Sequence, residues 1–138
     1  MARSARRQRQ IPPQRLILDS GAVLSWSRGE VRSRSLLMRA LELGADVRIP
    51  VAVLAETIRG GPRDAPIHRV RNAVDVFPAD ERIGRLAGAL LGRTGGTNTV
   101  DAMVAAEAIV AGADILSGDT GDLRQLLAEH PRLHVITI

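Results

Sequence analysis

Residues 97–122, TNTVDAMVAAEAIVAGADILSGDTGD, carry the clearest structural signal in the chain. The almost wholly apolar segment that begins at Asp101 predicts a buried helix, which Gly112 can end. The run DILS at residues 114–117 predicts a short buried strand, with Asp119 just beyond it. About ten helical and about five extended residues each span roughly 15 Å, so Asp119 is expected to return to the level of Asp101.

Two carboxylates at the same end of neighbouring elements repel each other unless a cation or a proton lies between them. The pair Asp101 and Asp119 therefore suggests a metal site. Each aspartate also has a purely structural interpretation. Asn98 looks like a helix cap followed three residues later by Asp101, and Asp119 with Asp122 repeats that spacing at the next predicted helix. Taken singly, either aspartate is more often a cap than a ligand.

The length of 138 residues indicates one domain with a real core. Its hydrophobic share is 45% but its aromatic share only 1%, so the core is built from Ala, Val, Leu and Ile, which suits an α/β protein. The chain has no cysteine, so a metal would have to be held by oxygen or by histidine. His68, His130 and His134 lack a paired ligand spacing, and we interpret them as structural or exposed.

All 19 basic residues are arginine. The absence of lysine excludes receiver domains, haloacid-dehalogenase-type phosphatases and P-loop NTPases, which need a lysine near their acidic or phosphate site. A net charge of +4 and a pI near 11.3 favour a polyanionic partner, to which arginine offers forked phosphate contacts. Arginine in place of lysine can also reflect genome base composition alone.

The first residues are arginine-rich but lead into no apolar signal region, and no stretch has the roughly 18 apolar residues of a membrane span. We therefore expect a cytoplasmic protein without a membrane partner. Residues 1–14 are expected to form a disordered arginine-rich tail, followed by one domain over residues 15–138. The tail could hold RNA phosphates non-specifically, or it could be a dispensable extension or a misplaced translation start.

Further acidic residues lie where ligands bind in parallel sheets. Asp19 follows a short apolar strand, and the carboxyl ends of parallel strands form such a site, so Asp19 and Asp119 are expected to share one sheet edge. Asp19 could instead simply cap the helix that runs through Trp26. Glu56 lies on a predicted helix, where the structural alternative is an ion pair with Arg59.

The remaining pattern alternates helices and short strands. We predict helices over residues 30–44, 51–60, 79–93 and from Asp119 to near Pro131, strands at 16–18, 48–49, 74–77 and 134–138, and a loop at 60–66.

The order of strand with Asp19, helix with Glu56, helix start with Asp101 and strand with Asp119 resembles the PIN-domain nucleases. It is most similar to the VapC-type toxin ribonucleases of bacterial toxin-antitoxin pairs. The resemblance covers residues 15–138. It rests on LILDSGAVLSW, PVAVLAETIRG and TVDAMVAAEAIVAGADILSGD, which resemble the family's successive motifs.

This resemblance implies a PIN-like three-layer α/β/α domain with a short, mostly parallel central sheet. It also implies that Asp19, Asp101 and Asp119 bind the metal and that Glu56 orders the nucleophilic water or completes a second metal shell. All-oxygen ligation selects Mg²⁺, with Mn²⁺ possible. The residues expected to support these ligands are Ser20, Asn98, Ser117 and Asp122, although Asp122 could instead be only the acid of a helix cap.

The implied activity is metal-dependent hydrolysis of RNA phosphodiester bonds by an endoribonuclease. The implied partners are the RNA substrate, a cognate VapB-like antitoxin that masks the site, and a second copy of the chain in a homodimer. Two alternatives stay open at this point. One is a PIN-domain nuclease that acts in RNA processing outside a toxin-antitoxin module, and the other is a catalytically inactive RNA-binding PIN protein.

Overall fold

A computed structural model of the protein describes residues 14–138. It contains five strands, β1 (Arg15–Leu18), β2 (Asp46–Pro50), β3 (Asp75–Phe77), β4 (Asp114–Ser117) and β5 (Val135–Thr137). Seven α-helices connect or flank them, α1 (Ser20–Ser27), α2 (Val31–Glu42), α3 (Val51–Thr57), α4 (Ala65–Ala73), α5 (Glu81–Thr94), α6 (Thr99–Ala111) and α7 (Gly121–Leu126). The predicted tail, apart from Gln14, lies outside the described residues.

The five strands form one parallel sheet in the order β3-β2-β1-β4-β5. From β1 the chain first builds the sheet outward through β2 and β3, then crosses back and continues on the other side of β1 with β4 and β5. The direction of winding therefore changes between β1 and β4. In open α/β sheets ligands bind at such a switch point, outside the carboxyl ends of the strands. The predicted α/β architecture with a short parallel central sheet is confirmed.

Helices pack on the sheet in two groups. Helix α1 contacts α2, α3 and α4, and α6 contacts α5 and α7. Helix α3 also contacts α6, and both α1 and α6 contact β1 and β4. The central strands are apolar throughout, as expected of strands covered on both faces, and their fully buried side chains include Leu16, Ile17, Leu18, Ile115 and Leu116. The predicted buried helix after Asp101 is confirmed, because six of the 13 residues of α6 are buried and only Thr99 and Val110 are exposed.

The segment after α3 differs from the prediction. Residues 60–66 were expected to form a loop, but a short 3₁₀ turn covers Pro62–Asp64 and α4 begins at Ala65. Two prolines made this segment look irregular, yet both occupy the first turns of helices, where a missing N–H is tolerated. Asp64 closes the turn by accepting hydrogen bonds from the backbone N–H groups of Arg59 and Gly60.

Two helices end earlier than predicted. Helix α7 ends at Leu126 where an end near Pro131 was expected, and α3 ends at Thr57 where an end at residue 60 was expected. Among residues 14–138, none of the helices has the length and apolar content that crossing a lipid bilayer requires.

A close backbone approach holds α1 against the turn that follows β4. A Cβ atom at Gly21 would lie 3.1 Å from the backbone nitrogen of Gly118 and 3.3 Å from its Cα atom. Replacing Gly21 with alanine must therefore push α1 and this turn apart.

We predict that Gly21→Ala lowers the free energy of unfolding by about 1–2 kcal/mol, because overpacking outweighs the better helix propensity of alanine. The matched control is Gly88→Ala on α5, where a Cβ meets nothing within 4 Å. That control should gain about 0.5–1 kcal/mol. Urea denaturation of both variants measures the difference, and equal gains in stability would contradict the close approach.

Candidate active site

Asp19 lies at the carboxyl end of β1 and is held on both carboxylate oxygens. Strands β1 and β4 pair in the register that sets Leu18 beside Leu116, and the Asp19 backbone N–H donates to the Leu116 carbonyl at 3.0 Å. Its Oδ1 accepts from the Ser20 N–H at 2.7 Å, and its Oδ2 accepts from the Ser117 hydroxyl at 2.8 Å. Asp19 is thus the helix cap that the sequence allowed, and it also lies at the switch point.

Ser117 connects the two strands that flank this edge. Its side chain is fully buried, and its Oγ lies 2.8 Å from the Asp119 carbonyl and accepts from the Asp119 N–H at 3.1 Å. The turn after β4 is therefore fixed to the carboxylate at the end of β1. The cap of α7 is Thr120, so the interpretation of Asp119 as a helix cap is wrong. The Asp119 side chain is exposed.

Glu56 is brought to the site from α3. Its Oε1 accepts a hydrogen bond from the Ser20 hydroxyl. The alternative ion pair with Arg59 is not formed, because the Arg59 guanidinium donates to the carbonyls of Ala55 and Ile58. Ser20 thus contacts two acidic residues, through its backbone N–H to Asp19 and through its hydroxyl to Glu56.

Asp101 lies in the first turn of α6, where Asn98 caps the helix by accepting from the Asp101 N–H at 3.0 Å. The predicted cap is therefore confirmed, and it leaves the Asp101 carboxylate free to face the site. Burial and neighbouring negative charges together raise the pKa of Asp101 to about 6. Burial is the largest cause, followed in decreasing order by the charges of Asp19, Asp122, Glu56 and Asp119.

The acidic residues whose charges raise the pKa of Asp101, together with Asp101 itself, form one set. We call this set the acidic cluster and define it as Asp19, Glu56, Asp101, Asp119 and Asp122. Burial also raises the pKa of Asp19, and the charges of Glu56 and Asp119 add to the rise, whereas hydrogen bonds from Ser20 and Ser117 oppose it. The three ion pairs found within residues 14–138 all lie outside the cluster, at Arg48–Asp46, Arg85–Glu81 and Arg93–Glu129.

The donor chemistry of this cluster fits a hard divalent cation, since every donor is a carboxylate oxygen and the charges are partly desolvated. The arrangement is open, however. Within the described part of the chain, no three acidic or histidine side chains lie close enough together to hold one ion between them. Binding an ion would therefore require side-chain rotation at the rim, where Glu56 and Asp119 are exposed.

A cleft of about 170 Å³ adjoins Asp101 between α5, α6 and α7. Its polar lining consists of Thr94, Thr97, Asn98, Asp101, Asp122 and Gln125, together with the backbone of Gly95 and Gly96. Thr94, Thr97 and Gln125 were not among the predicted site residues. Nothing in the local pattern distinguishes them from ordinary surface residues, because only the packing of three helices turns them toward one cleft.

Residues 16–126 match the model of one protein family, described as PIN domain. This chain belongs to the PIN-domain family. The match covers most of the chain and includes every member of the acidic cluster. The family prediction made from the sequence motifs is confirmed.

Solved structures share the PIN fold of this chain at low sequence identity. VapBC2 from Rickettsia felis, bound to a DNA fragment from its promoter, has a TM-score of 0.71 and 14% identity, covering 90% of this chain and 98% of the other. VapBC-1 from nontypeable Haemophilus influenzae has a TM-score of 0.65 and 18% identity, with coverages of 89% and 97%. A toxin-antitoxin complex from Klebsiella pneumoniae has a TM-score of 0.65 and 17% identity, covering 88% of this chain and 96% of the other. No curated protein sequence matches this PIN domain significantly.

The raised pKa of Asp101 makes a stability prediction. The folded pKa of about 6 exceeds the ordinary value of 3.8, so the native state binds this proton more tightly than the unfolded state. Stability should therefore fall as the pH rises from about 4 to about 6, and the loss should persist above that range. Asp101→Asn should gain about 1–2 kcal/mol at pH 7.5, less than the full shift implies because water screens the site.

The measurement is thermal or urea denaturation of both proteins at pH 4 and pH 7.5 without divalent ions. Asp101→Asn should be more stable than the wild-type protein at pH 7.5 and about equally stable at pH 4. Asp75→Asn, which removes an exposed carboxylate from β3, is the matched control. If Asp101→Asn destabilised the domain at pH 7.5, the repulsion inferred here would be wrong.

Proposed function

We propose that this PIN domain is a Mg²⁺-dependent endoribonuclease, a VapC-like toxin that a cognate VapB-like antitoxin neutralises. The observation that carries the proposal is the acidic cluster itself. Five carboxylates from separate elements lie around the switch point of the sheet, and the charges of four of them raise the pKa of the fifth, Asp101. Such an arrangement is unfavourable for stability, which supports a site kept for binding a divalent ion.

In this proposal Asp19, Asp101 and Asp119 hold the metal, with Mn²⁺ as a possible substitute for Mg²⁺. When bound, the divalent ion makes a water molecule more acidic and offsets the negative charge that develops on the phosphate. Glu56 orients the attacking water and accepts its proton on a carboxylate oxygen. The hydrogen bond from Ser20 supports this role, since it directs Glu56 toward Asp19.

Supporting residues orient the ligands. Ser117 and the Ser20 N–H fix the two oxygens of Asp19, and Asn98 fixes the start of α6 below Asp101. Asp122 lies near enough to act on Asp101 electrostatically, which supports a role in the outer part of the site. The lining of the adjoining cleft offers hydroxyl and amide groups to a nucleotide next to the scissile phosphate.

The choice of RNA and of a toxin rests on likeness to the VapBC complexes and on the sequence. A net charge of +4, carried by arginine alone, suits a polyanionic substrate. The proposal includes a homodimer acting in the cytoplasm, where the RNA and the antitoxin would both be met. A small gene immediately upstream that encodes a DNA-binding protein would be the antitoxin candidate.

The purified protein should cut RNA internally with Mg²⁺ or Mn²⁺ and stop when the ions are chelated. Asp19→Asn and Asp101→Asn should each lower the cleavage rate by at least about 10³-fold, since each removes a metal ligand from the reaction. The measurement is mapping of cleavage ends on total RNA with wild-type protein and each variant.

Asp75→Asn serves as the matched control because it removes the same charge far from the acidic cluster and should leave the rate unchanged. Expression of the wild-type protein or of Asp75→Asn should arrest growth, whereas expression of Asp19→Asn or Asp101→Asn should not. An Asp101→Asn protein that retained full Mg²⁺-dependent cleavage would contradict the proposal.

Ser117→Ala tests the positioning of Asp19. Removal of the hydroxyl removes the hydrogen bond to Asp19 Oδ2 and the contact with the Asp119 carbonyl, so both aspartates are less well oriented. Cleavage should therefore slow by about 10–100-fold at saturating Mg²⁺. The Mg²⁺ concentration for half-maximal rate should rise in parallel. Loss of stability alone would leave that concentration unchanged, so the Mg²⁺ titration separates the two effects.

A further inference from the structure

A second cavity, of about 330 Å³, lies beside the carboxyl-terminal half of α6. Its lining comes from β1, β2, β3, α5 and α6, and includes Arg15, Arg48, Phe77, Ile83, Glu107 and Val110. We call it the Glu107 cavity. Glu107 lies six residues beyond Asp101, more than one helical turn further along α6. Within residues 14–138, Arg48 is the one charged side chain that shifts the pKa of Glu107, so this cavity is electrostatically distinct from the acidic cluster.

Glu107 is a buried carboxylate without a direct partner. It is only 7% exposed, and within residues 14–138 no group donates a hydrogen bond to it or forms an ion pair with it. Burial raises its pKa to about 6, and the charge of Arg48 only partly opposes the rise. Within residues 14–138 no fully buried side-chain oxygen lacks a hydrogen-bond partner, so the unpaired Glu107 carboxylate is reached by solvent in the cavity. A ligand that donates paired hydrogen bonds to it can take the place of that solvent.

The other charged groups around the cavity already have partners. Arg48 is bound to Asp46 through Nε and Nη2, at 3.1 and 2.6 Å, and its guanidinium carbon lies 4.0 Å from the centroid of the Phe77 ring. Arg15 donates to the Ala111 carbonyl at 2.7 Å. Asp80 accepts from the Ile83 N–H as the cap of α5. Glu107 is therefore the charged residue of the lining that has no hydrogen-bond or ion-pair partner within residues 14–138.

The walls above Glu107 are apolar and partly open to solvent. Phe77 is 39% exposed and Val110 is 38% exposed, although both are large hydrophobic side chains. Pro78 and Ile83 complete this apolar lining. Of the two carboxylates that line the cavity, Asp80 already caps α5, which leaves one unpaired carboxylate beside an apolar rim. This arrangement is complementary to a cationic donor carried on an aliphatic stem. One free carboxylate is too few ligands for a metal ion.

We propose that the Glu107 cavity binds an arginine side chain presented by a partner polypeptide. A guanidinium offers paired N–H donors that match a carboxylate, and it is less strongly hydrated than the ammonium of lysine. The aliphatic stem packs between Phe77 and Val110, and the residues on either side of the arginine cover the exposed parts of these side chains. Because the site uses none of the acidic cluster, this inference does not depend on the proposed nuclease activity.

The test is an NMR titration of the full-length protein, labelled with ¹⁵N, with a blocked leucine-arginine-leucine tripeptide. Amide signals of Phe77, Glu107 and Val110 should shift and saturate. The same peptide with citrulline, a neutral isostere of arginine, should bind at least about 10-fold more weakly, since the charge-assisted pair is lost. Signals around Asp101 are followed separately, so binding at the acidic cluster is recognised as such.

Glu107→Gln keeps the shape of the side chain and should weaken the arginine peptide by a similar factor of about 10, while leaving citrulline binding unchanged. Val110→Trp narrows the opening of the Glu107 cavity at an exposed helix position, and it should also abolish peptide binding. This variant replaces Glu107→Gln in the test if Glu107→Gln does not fold. Equal binding of both peptides, or shifts confined to the acidic cluster, would overturn the proposal. If a single blocked arginine bound as tightly as the tripeptide, the proposal that a polypeptide presents the arginine would be wrong.

Discussion

Pairing between β1 and β4 brings together residues 98 positions apart in the chain, and the candidate site depends on it. The Asp19 N–H continues the hydrogen bonding of this strand pair, so Asp19 and Ser117 lie at the same level. The Ser117 hydroxyl then connects the end of one strand to the turn that leads to Asp119. This pairing is also where the winding of the sheet reverses, so the helices α1 and α6 diverge there and leave an open edge.

The cluster at this edge opposes the stability of the fold that presents it. Burial and like charge both disfavour ionised Asp101, and within the described residues no arginine forms an ion pair with the acidic cluster. Natural proteins keep such unfavourable groups where activity requires them. The surrounding structure tolerates them because hydrogen bonds from Ser20 and Ser117 stabilise the charged form of Asp19, the most buried member.

Helix α6 carries two carboxylates with raised pKa values, and their environments differ. Asp101 is affected by four other acidic residues in addition to burial, whereas Glu107 is affected by burial and by one arginine. The first environment suits a divalent cation that several carboxylates share, and the second suits one organic cation. A helix composed mostly of apolar residues thus carries two acidic side chains, six residues apart, in different electrostatic environments.

Much of the fold could be predicted from residue patterns. The apolar strands, the amphipathic helices, the buried α6 and the Asn98 cap follow from local periodicity and capping chemistry, which depend on neighbours in the chain. The helix at Ala65–Ala73 was missed because two prolines made its beginning look like a loop. The alternative interpretation of Asp119 as a helix cap was wrong, because Thr120 occupies the cap position.

By itself the sequence determined which acidic residues exist, the elements that carry them, and the family motifs in which they occur. Only the tertiary structure decided that Ser20 joins Asp19 to Glu56, that Asp122 acts on Asp101, and that Glu107 faces a cavity without a partner. The physical reason is that local pattern is set by backbone geometry over a few residues. Burial and charge repulsion, in contrast, depend on distances between side chains that only the packing of separate helices and strands fixes.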